Sequence, residues 1–156
     1  MTRTKSFYRR LLVATDFSEG SRAALEALER LVPRQTAVRI DLVHVLEPLP
    51  FLVPPAPVIG IERARTLGAQ RRLERLASRL RQRLGAAARV ETRVLEGPPH
   101  DEICRLAAAR AVDLVVLGTH GRTGLRHTLA GSVAERVVRH AGRPVLTIPI
   151  RQRRAR

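Results

Sequence analysis

The sequence predicts an α/β fold, a three-layer α/β/α sandwich around a five-stranded parallel sheet in the order 3-2-1-4-5. Three observations lead there. Short apolar runs alternate along the chain with helical patterns, and such alternation demands parallel strands joined by right-handed crossovers. The first of these runs is continuous in apolar residues, as a strand buried on both faces requires. A chain of 156 residues with 44% apolar content is ordinary for one domain with a full core. Residues 1–150 are therefore read as a single domain, and 151–156 as a basic tail expected to be disordered.

The elements follow in order. Arg10-Leu-Leu-Val-Ala-Thr15 reads as a short buried strand with Asp16 immediately past its end. Ser18 and Glu19 open a helix whose apolar set Ala24, Leu25, Leu28, Leu31 and Val32 recurs at helical spacing until Pro33. Val38 to Leu46 is a second strand, closed by Glu47-Pro48, and His44 within it is expected to be a satisfied core residue. Glu47 to Gly60 carries five prolines and no hydrophobic period, so it reads as an extended connection. A long helix is indicated from Ile61 to Leu84, with Leu73, Leu76, Ala77, Leu80 and Leu84 on one stripe and Arg71, Arg72, Arg75, Arg79 and Arg81 read as its solvated side.

Arg89 to Leu95 alternates as a half-exposed strand at a sheet edge. Gly97-Pro98-Pro99 turns into a helix from His100 to Ala111, where His100 and Asp101 suit capping and the helix dipole better than catalysis. Asp113 to Leu117 is the central strand. Ser132 to His140 is the fourth helix, stopped by Gly142, and Pro144 to Pro149 is the last strand.

Between the central strand and the fourth helix lies Gly118-Thr-His-Gly121-Arg-Thr-Gly-Leu-Arg-His-Thr-Leu-Ala-Gly131-Ser132. A plain connection between a strand and a helix takes roughly 2–6 residues. This one needs at least twelve, and its glycines permit positive φ and close backbone approach to an anion, a phosphate best. Ser132 with Glu135 also matches a capping box, so Ser132 alone proves no ligand. In the order 3-2-1-4-5 the first and fourth strands are neighbours from which the chain winds in opposite directions, and a crevice opens at their carboxyl ends. Asp16 and Gly118 both fall there. Asp16 has a structural alternative, capping the first helix with Glu19 three residues on.

The spacing Gly118-x2-Gly121-x9-Gly131-Ser132 resembles the nucleotide-binding motif of the universal stress protein family. The resemblance runs from Ala14-Thr15-Asp16-Phe17-Ser18 through His44-Val45 to Gly142-Arg143-Pro144-Val145. It implies an adenine nucleotide alpha hydrolase-like, Rossmann-like sheet that binds ATP or another adenine nucleotide, with Mg or Mn. Carried over residue by residue, it implies Ala14, Thr15 and Asp16 at the first strand's end, with Asp16 near the ribose and any nucleotide-bound ion. It puts Val45 and Leu117 against the adenine, and Gly118, Thr119, His120, Gly121, Arg122, Gly131, Ser132 and Val133 around the phosphates. Ala14, where the ATP-binding branch often has proline, and the arginine-rich loop are departures. The resemblance further implies a homodimer paired through the final strand, Val145 to Ile148.

Other classes fare worse. The formal charge of +15 invites nucleic acid, but one lysine, Lys5, among 29 basic residues indicates an arginine-biased chain, and 3% aromatic content leaves few stacking platforms. Specific nucleic-acid binding is not expected. No run approaches the roughly 20 apolar residues of a membrane span, and no signal-peptide pattern is seen, so a cytoplasmic location is expected. The single cysteine, Cys104, reads as a packed thiol. No catalytic set converges and no Gly-Lys-Ser/Thr element occurs, so a binding protein is expected, and the resemblance implies a nucleotide-binding sensor in stress response with at most slow ATP hydrolysis. The alternative is a family member that holds no nucleotide and acts through protein contacts.

Overall fold

The structure is a computed structural model in which residues 8–48, 58–119 and 132–149 are described. Five strands, β1 (Arg10–Ala14), β2 (Val38–Leu46), β3 (Ala88–Glu96), β4 (Leu114–Gly118) and β5 (Val145–Ile148), form one sheet in the order β3-β2-β1-β4-β5. Every pairing is parallel. Four helices, α1 (Glu19–Leu31), α2 (Val58–Leu84), α3 (Pro99–Ala109) and α4 (Ser132–His140), connect them.

Side-chain alternation along the strands divides the core in two. Leu11 and Val13 of β1, Ile40 and Leu42 of β2, and Leu114 and Val116 of β4 pack under α1 and α2 with Leu25, Leu28, Leu73 and Leu80. Leu12, Val43, Val115 and Leu117 face the other way, onto Ile103 and Ala107 of α3 and Ala134 and Val137 of α4. The β1 and β4 interiors are near-fully buried, which explains their unbroken apolar runs, whereas β2 interleaves exposed Arg39 and half-buried Asp41 with its buried residues. β3 is an edge strand with alternating exposure, as its sequence pattern requires.

Several element ends differ from the sequence reading by a single residue, and two boundaries by more. α2 begins at Val58, so the helix takes up the last residues of the proline-rich connection, whose residues 49–57 lie outside those described. α3 ends at Ala109, because Ala111 adopts φ 47° and reverses the chain into β4. The tail at 151–156 also lies outside the described residues.

Candidate functional site

The site is built by the turn after β1. Thr15 continues the strand for one more bond, its N–H donating to the Val43 carbonyl at 2.9 Å. The chain then turns sharply. The Phe17 N–H donates to Thr15 Oγ1 at 3.0 Å, and the Ser18 N–H donates to Asp16 Oδ1 at 3.0 Å. These two side-chain acceptors hold Phe17 at φ 65°, a left-handed conformation unusual for an aromatic residue. Ser18 is the N-cap of α1, its Oγ accepting from the Ser21 N–H at 3.3 Å. Asp16 therefore braces the turn ahead of the cap, and the alternative in which it caps α1 itself is not what forms.

Buried hydroxyls lock the same turn from beneath. Thr15 Oγ1 donates to Ser21 Oγ at 2.9 Å, and Ser21 Oγ donates to the Ser18 carbonyl at 3.1 Å. His44 lies 5% exposed with Nδ1 2.7 Å from the Thr15 carbonyl, which makes Nδ1 the protonated nitrogen. Its ring sits 4.5 Å from that of Phe17. His44 is thus a satisfied core residue, as its place in an apolar strand suggests.

β4 arrives beside this turn. Leu11 pairs with Leu114 and Val13 with Val116, so Gly118 ends next to the start of α1. A Cβ on Gly118 would stand 2.4 Å from the Gly20 carbonyl carbon and 2.5 Å from its oxygen, so no other residue fits without backbone movement. The glycine serves contact between the two converging turns. Thr119 follows, 6% exposed, its N–H donating to the Ile148 carbonyl at 3.0 Å.

On the α3/α4 face, the alternation brings Ala14, Val45, Leu117 and Val133 into one apolar cluster at the carboxyl ends of three adjacent strands. A cleft of about 290 Å³ opens nearby, lined by Glu47, Pro48, Pro98, Pro99, His100, Ser132, Val133 and Arg136. Ser132 and Val133 stand in its wall at the first turn of α4. Glu135 is engaged with Arg139 at 2.7 Å, one turn on, rather than reaching back as a capping box would have it. His120, Gly121, Arg122 and Gly131 lie outside the described residues.

Arg136 is a cleft residue that the sequence does not single out, and His100, read from the sequence as a capping residue, lines the cleft at a helix start that has no side-chain cap. His100 does contact Asp101, Nε2 to Oδ1 at 3.1 Å, while facing the cleft from the start of α3. A signal exists, since Glu47-Pro48 and Gly97-Pro98-Pro99 end neighbouring parallel strands and must emerge side by side. Cys104 packs partly against the α3/α4 core, and burial pushes its thiol up from the ordinary range, which suits a packing role. Among the described residues no group of three or more His, Cys, Asp or Glu side chains is placed to hold a metal ion. No helix there is long and apolar enough to cross a membrane.

A doubly wound parallel sheet with its crevice between β1 and β4 defines a class of α/β proteins that take ligands at the strands' carboxyl ends. Residues 7–149 match the family model described as the universal stress protein family. The chain belongs to that family. It superposes on the structure of MJ0577 of Methanocaldococcus jannaschii with a TM-score of 0.78 and 27% identity, covering 94% of this chain and 99% of that one. A universal stress protein solved in complex with cAMP gives a TM-score of 0.66 at 25% identity, with 92% of this chain and 98% of that one covered. The Archaeoglobus fulgidus universal stress protein in complex with dAMP gives 0.58 at 25% identity, with 91% and 98% covered.

Proposed function

We propose that this universal stress protein binds an adenine nucleotide, ATP in the first instance, in the crevice between β1 and β4, and works as a sensor or regulator in stress response. The observation that carries the reading is the convergence of three strand ends: Ala14, Val45 and Leu117 belong to one apolar cluster, and the first turn of α1, just past Asp16, abuts Gly118. An apolar wall suits a purine face, and a carboxylate beside it suits ribose hydroxyls. Related proteins solved with cAMP and with dAMP support the same ligand class.

In this reading Val45 and Leu117 flank the adenine, and Ala14, Thr15 and Asp16 shape the ribose end. Gly118, Thr119, His120, Gly121, Arg122, Gly131, Ser132 and Val133 surround the phosphates. The free amides at the start of α4 and the Ser132 hydroxyl are the donors a phosphate requires. A divalent ion such as Mg or Mn would come with the nucleotide, held by its phosphates and reached by Asp16; its chemistry would be charge neutralisation of the phosphates. The donor set fits that role because a single carboxylate suits an ion already carried by phosphate. The protein is read as one cytoplasmic domain over residues 1–150, pairing through β5 into a homodimer.

Equilibrium titration of the full chain with a fluorescent ATP analogue, with and without magnesium, tests this. Saturable binding is expected, weakened at least tenfold by Asp16→Ala. Absence of saturable binding in both conditions overturns the reading and favours a protein that acts through contacts with other proteins.

A further inference from the structure

We infer that the chain carries a second anion site, on the α1/α2 side of the sheet and sharing only the turn after β1 with the nucleotide crevice, which takes a small inorganic polyphosphate. A cleft of about 380 Å³ lies between α1 and α2, lined by Thr15, Ser18, Leu25 and Leu76 below and by arginines at its rim. Arg72, Arg75 and Arg79 recur at spacings of three and four along one stripe of α2, and Arg22 faces them from α1. Four arginines thus line one cleft.

Their charge is left unbalanced, unlike that of Arg81 and Arg83 on the same helix. Further along α2, Arg81 pairs with Glu74 at 2.6 Å and Arg83 with Glu29 at 3.9 Å. Among the described residues no carboxylate pairs with Arg72, Arg75 or Arg79, and the only acid lining the cleft, Glu19, is 3.8 Å from Arg22. The lining carries a net charge of three, counting four arginines against Glu19. Like charges gathered around a concave surface repel, and an anion of matching charge relieves that repulsion.

The chemistry of the walls narrows the ligand. Guanidinium forks match phosphate oxygens two at a time, and more weakly hydrated than ammonium groups they suit a partly enclosed site. The hydroxyls of Thr15 and Ser21 are consumed in the turn's own hydrogen bonds, so recognition falls to the arginines. Phe17, the one aromatic ring in the lining among the described residues, is already covered by the Arg72 guanidinium 3.9 Å from its centroid. A nucleobase would have to displace Arg72 to stack there. A compact phosphate chain without a base fits the cleft as it stands.

Calorimetric titration of the full chain with inorganic tripolyphosphate in 100 mM salt, an ionic strength of about 0.1 M that screens diffuse attraction, tests the site. Saturable binding is expected, weakened at least tenfold in the double variant Arg75→Ala with Arg79→Ala and less than twofold in Arg30→Ala with Arg34→Ala, which removes the same charge from positions elsewhere on the surface. Citrate, a trianion of different geometry, is expected to bind at least tenfold more weakly. No saturable binding, equal losses in the two double variants, or equal affinity for citrate would each overturn the assignment. Nucleotide binding at the crevice is a separate titration whose failure leaves this result unaffected.

Discussion

At the scale of single residues, Gly118 carries the most testable claim. Its sequence position invites the view that it clears space for a phosphate, yet the space it clears is filled by the backbone of Gly20 and Ser21, at 2.4 to 2.9 Å from a would-be Cβ. Backbone atoms cannot swing aside as a flexible side chain can. Gly118→Ala should therefore destabilise the fold by about 1–3 kcal/mol, as overpacking of a filled interior does, measured by urea unfolding without nucleotide. An unchanged midpoint would show that the two turns do not bear on each other. The sequence tells that a glycine is needed here but not what it faces, because the neighbour is about a hundred residues away in the chain. Likewise nothing local announces that Phe17 is left-handed: that conformation depends on acceptors from Thr15 and Asp16 and on packing against His44 and Arg72.

At the scale of elements, strands are legible in the sequence and helix ends less so. β1 and β4 announce themselves because burial on both faces forces unbroken apolar runs, and β2 through its β-branched residues Val38, Ile40, Val43 and Val45. The sequence pattern starts α2 three residues late because Gly60 and the preceding prolines read as breakers, whereas Pro57 ahead of the helix and a glycine in its first turn interrupt few hydrogen bonds. Gly68 is a different case, since it sits in the middle of α2, exposed, with nothing within 4 Å of where a Cβ would stand. There the glycine only adds freedom to the unfolded chain. Gly68→Ala should stabilise the protein by about 0.5–1 kcal/mol, read as a raised urea midpoint with unchanged slope. A loss of stability would mean that α2 is not continuous through this position.

At the scale of the whole molecule, the strand order is legible because right-handed crossovers and short connections leave few ways to wind five alternating units. The surface that the proposed pairing would use follows from the hydrogen-bond phase of the last strand. The Val115 N–H donates to the Pro144 carbonyl at 2.9 Å and the Thr119 N–H to the Ile148 carbonyl at 3.0 Å. Alternate residues of a parallel strand serve one neighbour, so Pro144, Leu146 and Ile148 bond inward to β4 while Val145 and Thr147 direct their N–H and C=O groups out from the sheet edge. All four β5 side chains are only half-buried, and among the described residues no further strand pairs with that edge, which leaves it for a second β5. Proline at Thr147 would remove an outward donor and spare every inward bond, as edge strands tolerate. Light scattering should give twice the 17.4 kDa chain mass for the native protein and a shift toward the single-chain mass for Thr147→Pro, with the circular dichroism spectrum preserved. A native protein of single-chain mass at micromolar concentration would refute pairing through β5, and a variant that stays fully dimeric would move the interface elsewhere.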